Sequence, residues 1–128
     1  MITEVTQGIQ ITVRTIYQEN YSRPDDKHFL FTYRITIENK SDYTVQLLRR
    51  HWHIHDSNGE HRQVEGEGVV GQQPILMPGD IYEYESACNL ATDIGSMKGT
   101  YLMERTVDKL RFYVNIPQFE MVVPSKLN

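Results

Sequence analysis

Three histidines, His51, His53 and His55, occupy every second position of the run RRHWHIHD. Successive side chains of an extended strand leave opposite faces, so the three imidazoles project from one side and Trp52 and Ile54 from the other. A row of neutral imidazoles suits zinc or cobalt, with Asp56 or His61 in reach to extend the shell. Magnesium prefers oxygen and matches this row poorly. The competing reading is structural: a half-buried strand needs a polar outer face, and histidine supplies it while Trp52 fills the core.

The second pattern lies in EGEGVVGQQPILMPGD, where Gly66, Gly68 and Gly71 fall in the spacing G-x-G-x-x-G. In a dinucleotide site these glycines let backbone approach a pyrophosphate while a helix opens and aims its amides at the phosphates. Pro74 and Pro78 follow too soon for a helix, since proline lacks an amide donor and pushes its predecessor toward extended backbone. Glu85 stands about 20 residues on, as the dinucleotide pattern asks, but it falls in IYEYES, which reads as a strand. Two alternatives stand. Successive amides of the turn form a concave nest for a small anion, with Arg50, His51 and Gln73 as accompanying polar groups, although Glu65 and Glu67 oppose phosphate. Or the glycines serve shape alone, as positive dihedrals, a bulge or a crossover.

The remaining reactive residues give no constellation. Arg49 and Arg50 are adjacent and face opposite ways on a strand. Cys88 is the sole cysteine, with no neighbouring signature of a catalytic thiol and no partner for a disulfide. Tyr82, Tyr84, Tyr101 and Tyr113 suit either a binding surface or, by alternation, a core. A base paired with a cluster of metal-binding carboxylates, as a hydrolase needs, is missing. The residues therefore predict a non-enzymatic protein with no resident cofactor.

The elements that position these residues are strands. GIQITVRTIYQ alternates Ile9, Ile11 and Val13 with polar residues, and HFLFTYRITIEN does the same with Phe29, Phe31, Tyr33, Ile35 and Ile37. NKSD supplies a turn, YTVQLLRRHWHIHD resumes extended character, and Asn58-Gly59 in DSNG suits a tight hairpin returning as EHRQVE. After the glycine-rich loop come the MPGD turn and the strand IYEYES. SMKGTYLMER and KLRFYVNIP form a hairpin across TVD, and FEMVV adds a short last strand. No amphipathic helix is found, and NYSRPDDK reads as a mobile loop. About seven strands joined by turns predict an all-β fold, an antiparallel β-sandwich of immunoglobulin or fibronectin type III character spanning 1–128 as one domain. A small barrel fits the same periodicity.

Composition narrows the function classes. At 128 residues, 39% hydrophobic and 23% charged, the chain is an ordinary globular one, and its net charge of −4 argues against nucleic acid. No stretch is long and apolar enough for a membrane span, and the amino terminus reads as no leader, which predicts a cytoplasmic protein. The triplets at Asn20 and Asn39 are then not glycosylation sites. Open sheet edges are compatible with a homodimer.

Taken in order, Arg50-His51-Trp52, Gly66-x-Gly68-Val69-Val70-Gly71, Gln73-Pro74, Pro78-Gly79, Tyr84-x-Ser86 and Met97-x-Gly99-x-Tyr101 resemble the bacterial ApaG family over nearly the whole chain. The resemblance implies a fibronectin type III-like sandwich. Related domains within larger eukaryotic proteins, an F-box protein and a polymerase-delta-interacting protein among them, imply a ligand- or protein-binding module. The family also carries an association with cobalt and magnesium efflux or resistance, and a gene neighbour encoding a diadenosine tetraphosphate hydrolase; neither names a reaction. Of the histidine row only His51 falls on the family motif. Asp93 and Ala87 depart from it, around Cys88. The expectation is a binding module that recognises a protein partner or small anion through Arg50, His51, Gly66, Gly68, Gly71 and Gln73. The alternatives are divalent-cation binding by His51, His53 and His55, or nucleotide and pyrophosphate binding.

Overall fold

The computed structural model describes residues 1–127, which form nine strands and three short 3-10 turns. The strands are β1 (Ile2–Thr6), β2 (Ile9–Tyr17), β3 (Phe29–Asn39), β4 (Val45–Asp56), β5 (His61–Glu67), β6 (Ile75–Leu76), β7 (Ile81–Leu90), β8 (Ile94–Arg105) and β9 (Arg111–Val122). They build two antiparallel sheets, one ordered β1-β2-β3-β7 and the other β5-β4-β8-β9, with β6 also paired to β4. The sheets stay separate, so the fold is the expected sandwich rather than a barrel.

Alternation places one row of each strand inside. Ile9, Ile11 and Val13 of β2 and Phe31, Tyr33, Ile35 and Ile37 of β3 face Trp52 and Ile54 of β4 and Tyr101 and Met103 of β8, all buried. Trp52 meets Tyr33 and Phe119 edge-on, with ring centroids 5.4 and 5.9 Å away, a geometry that suits the ring quadrupoles.

Two elements escape a reading by periodicity. β1 pairs with β2 but keeps mostly exposed side chains, and β6 is only two residues long. FEMVV is not a separate strand: β9 runs on through Pro117 because its pairing with β8 shifts between Met97 and Gly99, and such a bulge tolerates a residue that cannot donate to the ladder. NYSRPDDK is hydrogen-bonded into place, with the Ser22 hydroxyl donating to the Gln18 carbonyl at 2.7 Å and accepting from the Leu30 amide at 2.9 Å.

At the end of β3, Asn39 is fully buried. Its amide nitrogen donates to the carbonyls of Tyr43 (2.7 Å) and Leu76 (2.9 Å), and its oxygen accepts from the Ser41 amide and hydroxyl. That single side chain fastens the NKSD turn to β6 and so fixes where the glycine-rich connection re-enters the sheet.

Candidate functional site

The site is organised by a bulge in β4. Its pairing with β8 slips between Leu47 and Arg49, which moves the inward row from Val45 and Leu47 to Arg50, Trp52 and Ile54. Arg50 therefore points inward and His51, His53 and His55 outward, while Arg49 is exposed. The edge of the sheet follows this kink. β5 pairs with β4 from His55 back to Arg49, and β6 resumes the pairing at Gln46 and Val45. The glycine loop is the excursion between them.

Within the excursion the amides are turned onto neighbouring carbonyls. Gly68 donates to the Leu48 carbonyl at the bulge (2.8 Å), and Val69 and Gln72 exchange a pair of bonds at 2.8 and 2.9 Å. Between these two lie Val70 and Gly71, with φ of 46° and 77°, the positive pair that a type I′ turn requires. The Gln73 amide reaches back to the Leu48 carbonyl at 2.9 Å. Arg50 closes the loop from inside, its Nη1 donating to the carbonyls of Glu67 (3.0 Å) and Gly68 (2.9 Å). The guanidinium lies against Gly66, where a Cβ would stand 2.9 Å from its nitrogens. Val69 is fully buried beneath the turn, and Val70 is 62% exposed at its tip.

Inward of Arg50 lies the seam between the two edge strands, β5 and β7. A cleft of about 340 Å³ opens there, lined by Tyr33, Arg50, Trp52, Arg62, Ser86 and Cys88 among others. Arg62 spans the seam, donating through Nη2 to the Asn89 carbonyl and reaching the Cys88 sulfur at 3.5 Å. Behind it, Tyr84 and Tyr101 share a buried hydroxyl–hydroxyl hydrogen bond. Burial pushes the Tyr33, Tyr84 and Tyr101 phenols above the ordinary range, with Arg50 pulling weakly the other way on all three. Burial likewise raises the Cys88 thiol, opposed by Arg62. A thiol so held stays protonated at neutral pH and is a poor nucleophile.

The six residues expected at the site separate into two groups. Arg50, Gly66, Gly68, Gly71 and Gln73 meet in the braced loop. His51 lies outside it on the opposite face of β4, its Nδ1 3.1 Å from a Glu65 carboxylate oxygen and its Nε2 2.8 Å from the Gln63 amide oxygen. The histidine row does share one face but does not converge: His51 stacks on His53 at 4.6 Å, and His55 stacks on His61 of β5 at 4.3 Å. Among the described residues no group of three or more His, Cys, Asp or Glu side chains is arranged to hold a metal ion. Desolvation holds His53 below the usual histidine range, reinforced by His51, His61, Lys98 and His55.

Arg62, Tyr33, Ser86 and Cys88 were not expected to share a site. A signal for Arg62 was present: with Asn58-Gly59 closing the hairpin, the alternation of EHRQVEGE sets Arg62, Val64 and Gly66 in one row. The structure pairs that row with Ile54, Trp52 and Arg50.

The fold is an antiparallel β-sandwich whose edge excursion is held by Arg50 and closed at Gly68 and Gly71. Among solved structures, the putative ApaA protein from Bordetella pertussis superposes with a TM-score of 0.88 at 37% identity, over 91% of this chain and 94% of that one. The C-terminal domain of wzt shares the fold alone, with a TM-score of 0.54 at 8% identity over 95% of this chain and 77% of that one. In sequence, "Protein ApaG" of Brucella canis is 45% identical over 126 residues, 98% of this chain and 96% of its own. "Protein ApaG" of Anaeromyxobacter dehalogenans is 48% identical over 128 residues, the full length of both. The ApaG domain model matches residues 19–105. The chain belongs to the ApaG family. No helix among the described residues is long and apolar enough to cross a membrane.

Proposed function

We propose that the protein is a non-catalytic binding module whose recognition surface for a protein partner is the braced glycine loop with the connection that follows it. The observation that carries this reading is Val70. A β-branched residue at positive φ is strained, by roughly 1–3 kcal/mol, and such strain persists where the surroundings hold it and clusters at working sites. Here it lies at the exposed tip of a turn where asparagine or glycine would sit without strain. Ile75 and Met77 on the same connection are also more than half exposed. Arg50 and Gln73 then act as positioning residues that hold the loop's shape, and Gly66 and Gly68 as the space that lets them.

The small-anion reading has fewer donors to draw on, because the amides of Gly68, Val69 and Gln72 and the Arg50 Nη1 are each bonded to carbonyls of the loop or of Leu48. The test pairs wild type with Val70→Asn, which relieves the turn and removes the apolar tip. Cross-linked partners retained by wild type and lost from the folded variant support the proposal. An unchanged partner set refutes it. Saturable pyrophosphate shifts of the Val70 and Gly71 amides in a nitrogen-15 spectrum would replace it with an anion nest.

A further inference from the structure

On the outer face of the β4–β5 hairpin, well apart from the glycine loop, the Nδ1 of His53 and the Nε2 of His61 stand 3.1 Å apart. His55 is directly opposite His61 in the ladder and His53 one diagonal step away, so the two nitrogens come from adjacent strands of one rigid ribbon. Two nitrogens each about 2.0–2.1 Å from one ion lie about 3.3 Å apart at the tetrahedral angle and about 2.9 Å apart at a right angle. The observed separation falls between these values. We infer that His53 and His61 form a two-histidine chelate for a borderline divalent transition-metal ion, zinc being the simplest probe.

The neighbouring side chains define which histidines take part. His51 has both ring nitrogens engaged, by Glu65 and Gln63, and is not a ligand. His55 lies flat on His61, with the planes 7° apart, and buttresses that ring. The ligand pair is thus different from the alternate row along β4: it crosses between strands, and only one member of the row belongs to it. The two nitrogens face each other as donor and acceptor of a single hydrogen bond. For both rings to ligate as neutral imidazoles, the donor ring shifts its proton to its other nitrogen, leaving both facing nitrogens unprotonated, and each ring turns on its exposed side chain to aim its lone pair at the ion. Lys98 is the nearby cation opposing the ion.

With two protein ligands, the other positions are left to water. Closed structural sites use four protein ligands and keep their metal; this pair makes an exchangeable site instead. Imidazole nitrogen selects zinc, nickel, cobalt or copper over magnesium and calcium, which take oxygen.

Calorimetry at neutral pH with zinc chloride should give one ion per chain. Because a chelate owes its affinity to the high effective concentration of its second ligand, His61→Ala or His53→Ala should weaken binding by about 100-fold. His51→Ala should change it by less than about threefold, and magnesium should neither bind nor compete. All these side chains lie on an exposed face, and a proton spectrum matching wild type verifies that each variant is folded. Absence of zinc binding at millimolar protein overturns the inference. So does a His51→Ala loss as large as that of His61→Ala, which would mark nonspecific binding to a histidine-rich face.

Discussion

Alanine at Gly68 and at Gly71 separates two ways in which a loop can require glycine. Both positions have positive φ, 62° and 77°, so either substitution incurs the left-handed penalty of about 1–2 kcal/mol. They differ in space. A Cβ at Gly71 meets nothing within 4 Å, whereas at Gly68 it lies closer than 3.0 Å to the Gln72 carbonyl oxygen and 2.9 Å from its carbon. That atom belongs to backbone and cannot swing aside. Relief demands that Gln72 move away from Val69, breaking the two bonds that close the turn, each contributing about 1 kcal/mol. Gly68→Ala should therefore lose about 3–4 kcal/mol and Gly71→Ala about 1–2 kcal/mol, by urea unfolding analysed with linear extrapolation. With an unfolding entropy of about 2.1 cal/mol/K per residue, the difference of about 2 kcal/mol corresponds to roughly 7 °C in Tm. Equal losses at the two positions would mean that the close approach at Gly68 does not hold the loop, and the account of the excursion would fall with it.

Val70→Asn should raise stability by about 0.5–1 kcal/mol, because asparagine accepts the left-handed conformation that valine resists; a loss of stability in the same unfolding assay would contradict the strain assigned to the turn. Asn39→Ala should cost about 3 kcal/mol, since it strands the buried Leu76 carbonyl and the Ser41 amide together, and Asn39→Asp, which keeps the acceptor but loses the donor, should be no better. If Asp restores wild-type stability, the two carbonyl bonds are not the source. Stability should also fall in alkali. Tyr33, Tyr84 and Tyr101 have folded values raised by burial, so their contribution is complete below the unfolded value of about 10 and is lost as pH rises above it toward the raised folded values. Each phenol then removes up to about 1.4 kcal/mol per pH unit, about 1 kcal/mol between pH 10 and 11, and a urea midpoint that stays level from pH 10 to about 11 would show that these hydroxyls titrate in the folded state.

The fold was legible because its long strands carry the signal in the side chains themselves. β2 and β3 alternate over nine and eleven residues with aromatic and branched apolar groups on one face, and DSNG between β4 and β5 is a turn with its own chemistry. β1 escaped because its side chains stay largely outside; it belongs to the sheet through backbone pairing, which alternation does not record. β6 escaped because two residues hold no period. Pro117 concealed the continuity of β9, since the bulge that accommodates it depends on the partner strand rather than on the local sequence.

The β4 row was legible, since the alternation of RRHWHIHD set Trp52 and Ile54 opposite the histidines as the structure has them, whereas the closure of the glycine loop by Arg50 was not. Read as an unbroken strand from Val45, the alternation would set Arg49 and His51 on the inner row and Trp52 outside; the extra residue at Leu48 exchanges the faces, so that Arg50 joins Trp52 within. Once Arg50 is inside, its guanidinium packs against Gly66, where a Cβ would press on the end of that side chain, and Gly68 must lack a side chain to let Gln72 close the turn. The spacing G-x-G-x-x-G that serves phosphate in a strand-to-helix turn here meets three separate needs: room for an arginine, a close backbone approach and a left-handed residue at Gly71. The same glycines answer both requirements because each requirement is only for the absence of a Cβ, and what distinguishes them is what comes next. A helix N-terminus leaves its amides free for an anion; an excursion that returns to its sheet at Pro74 and Ile75 turns them onto carbonyls.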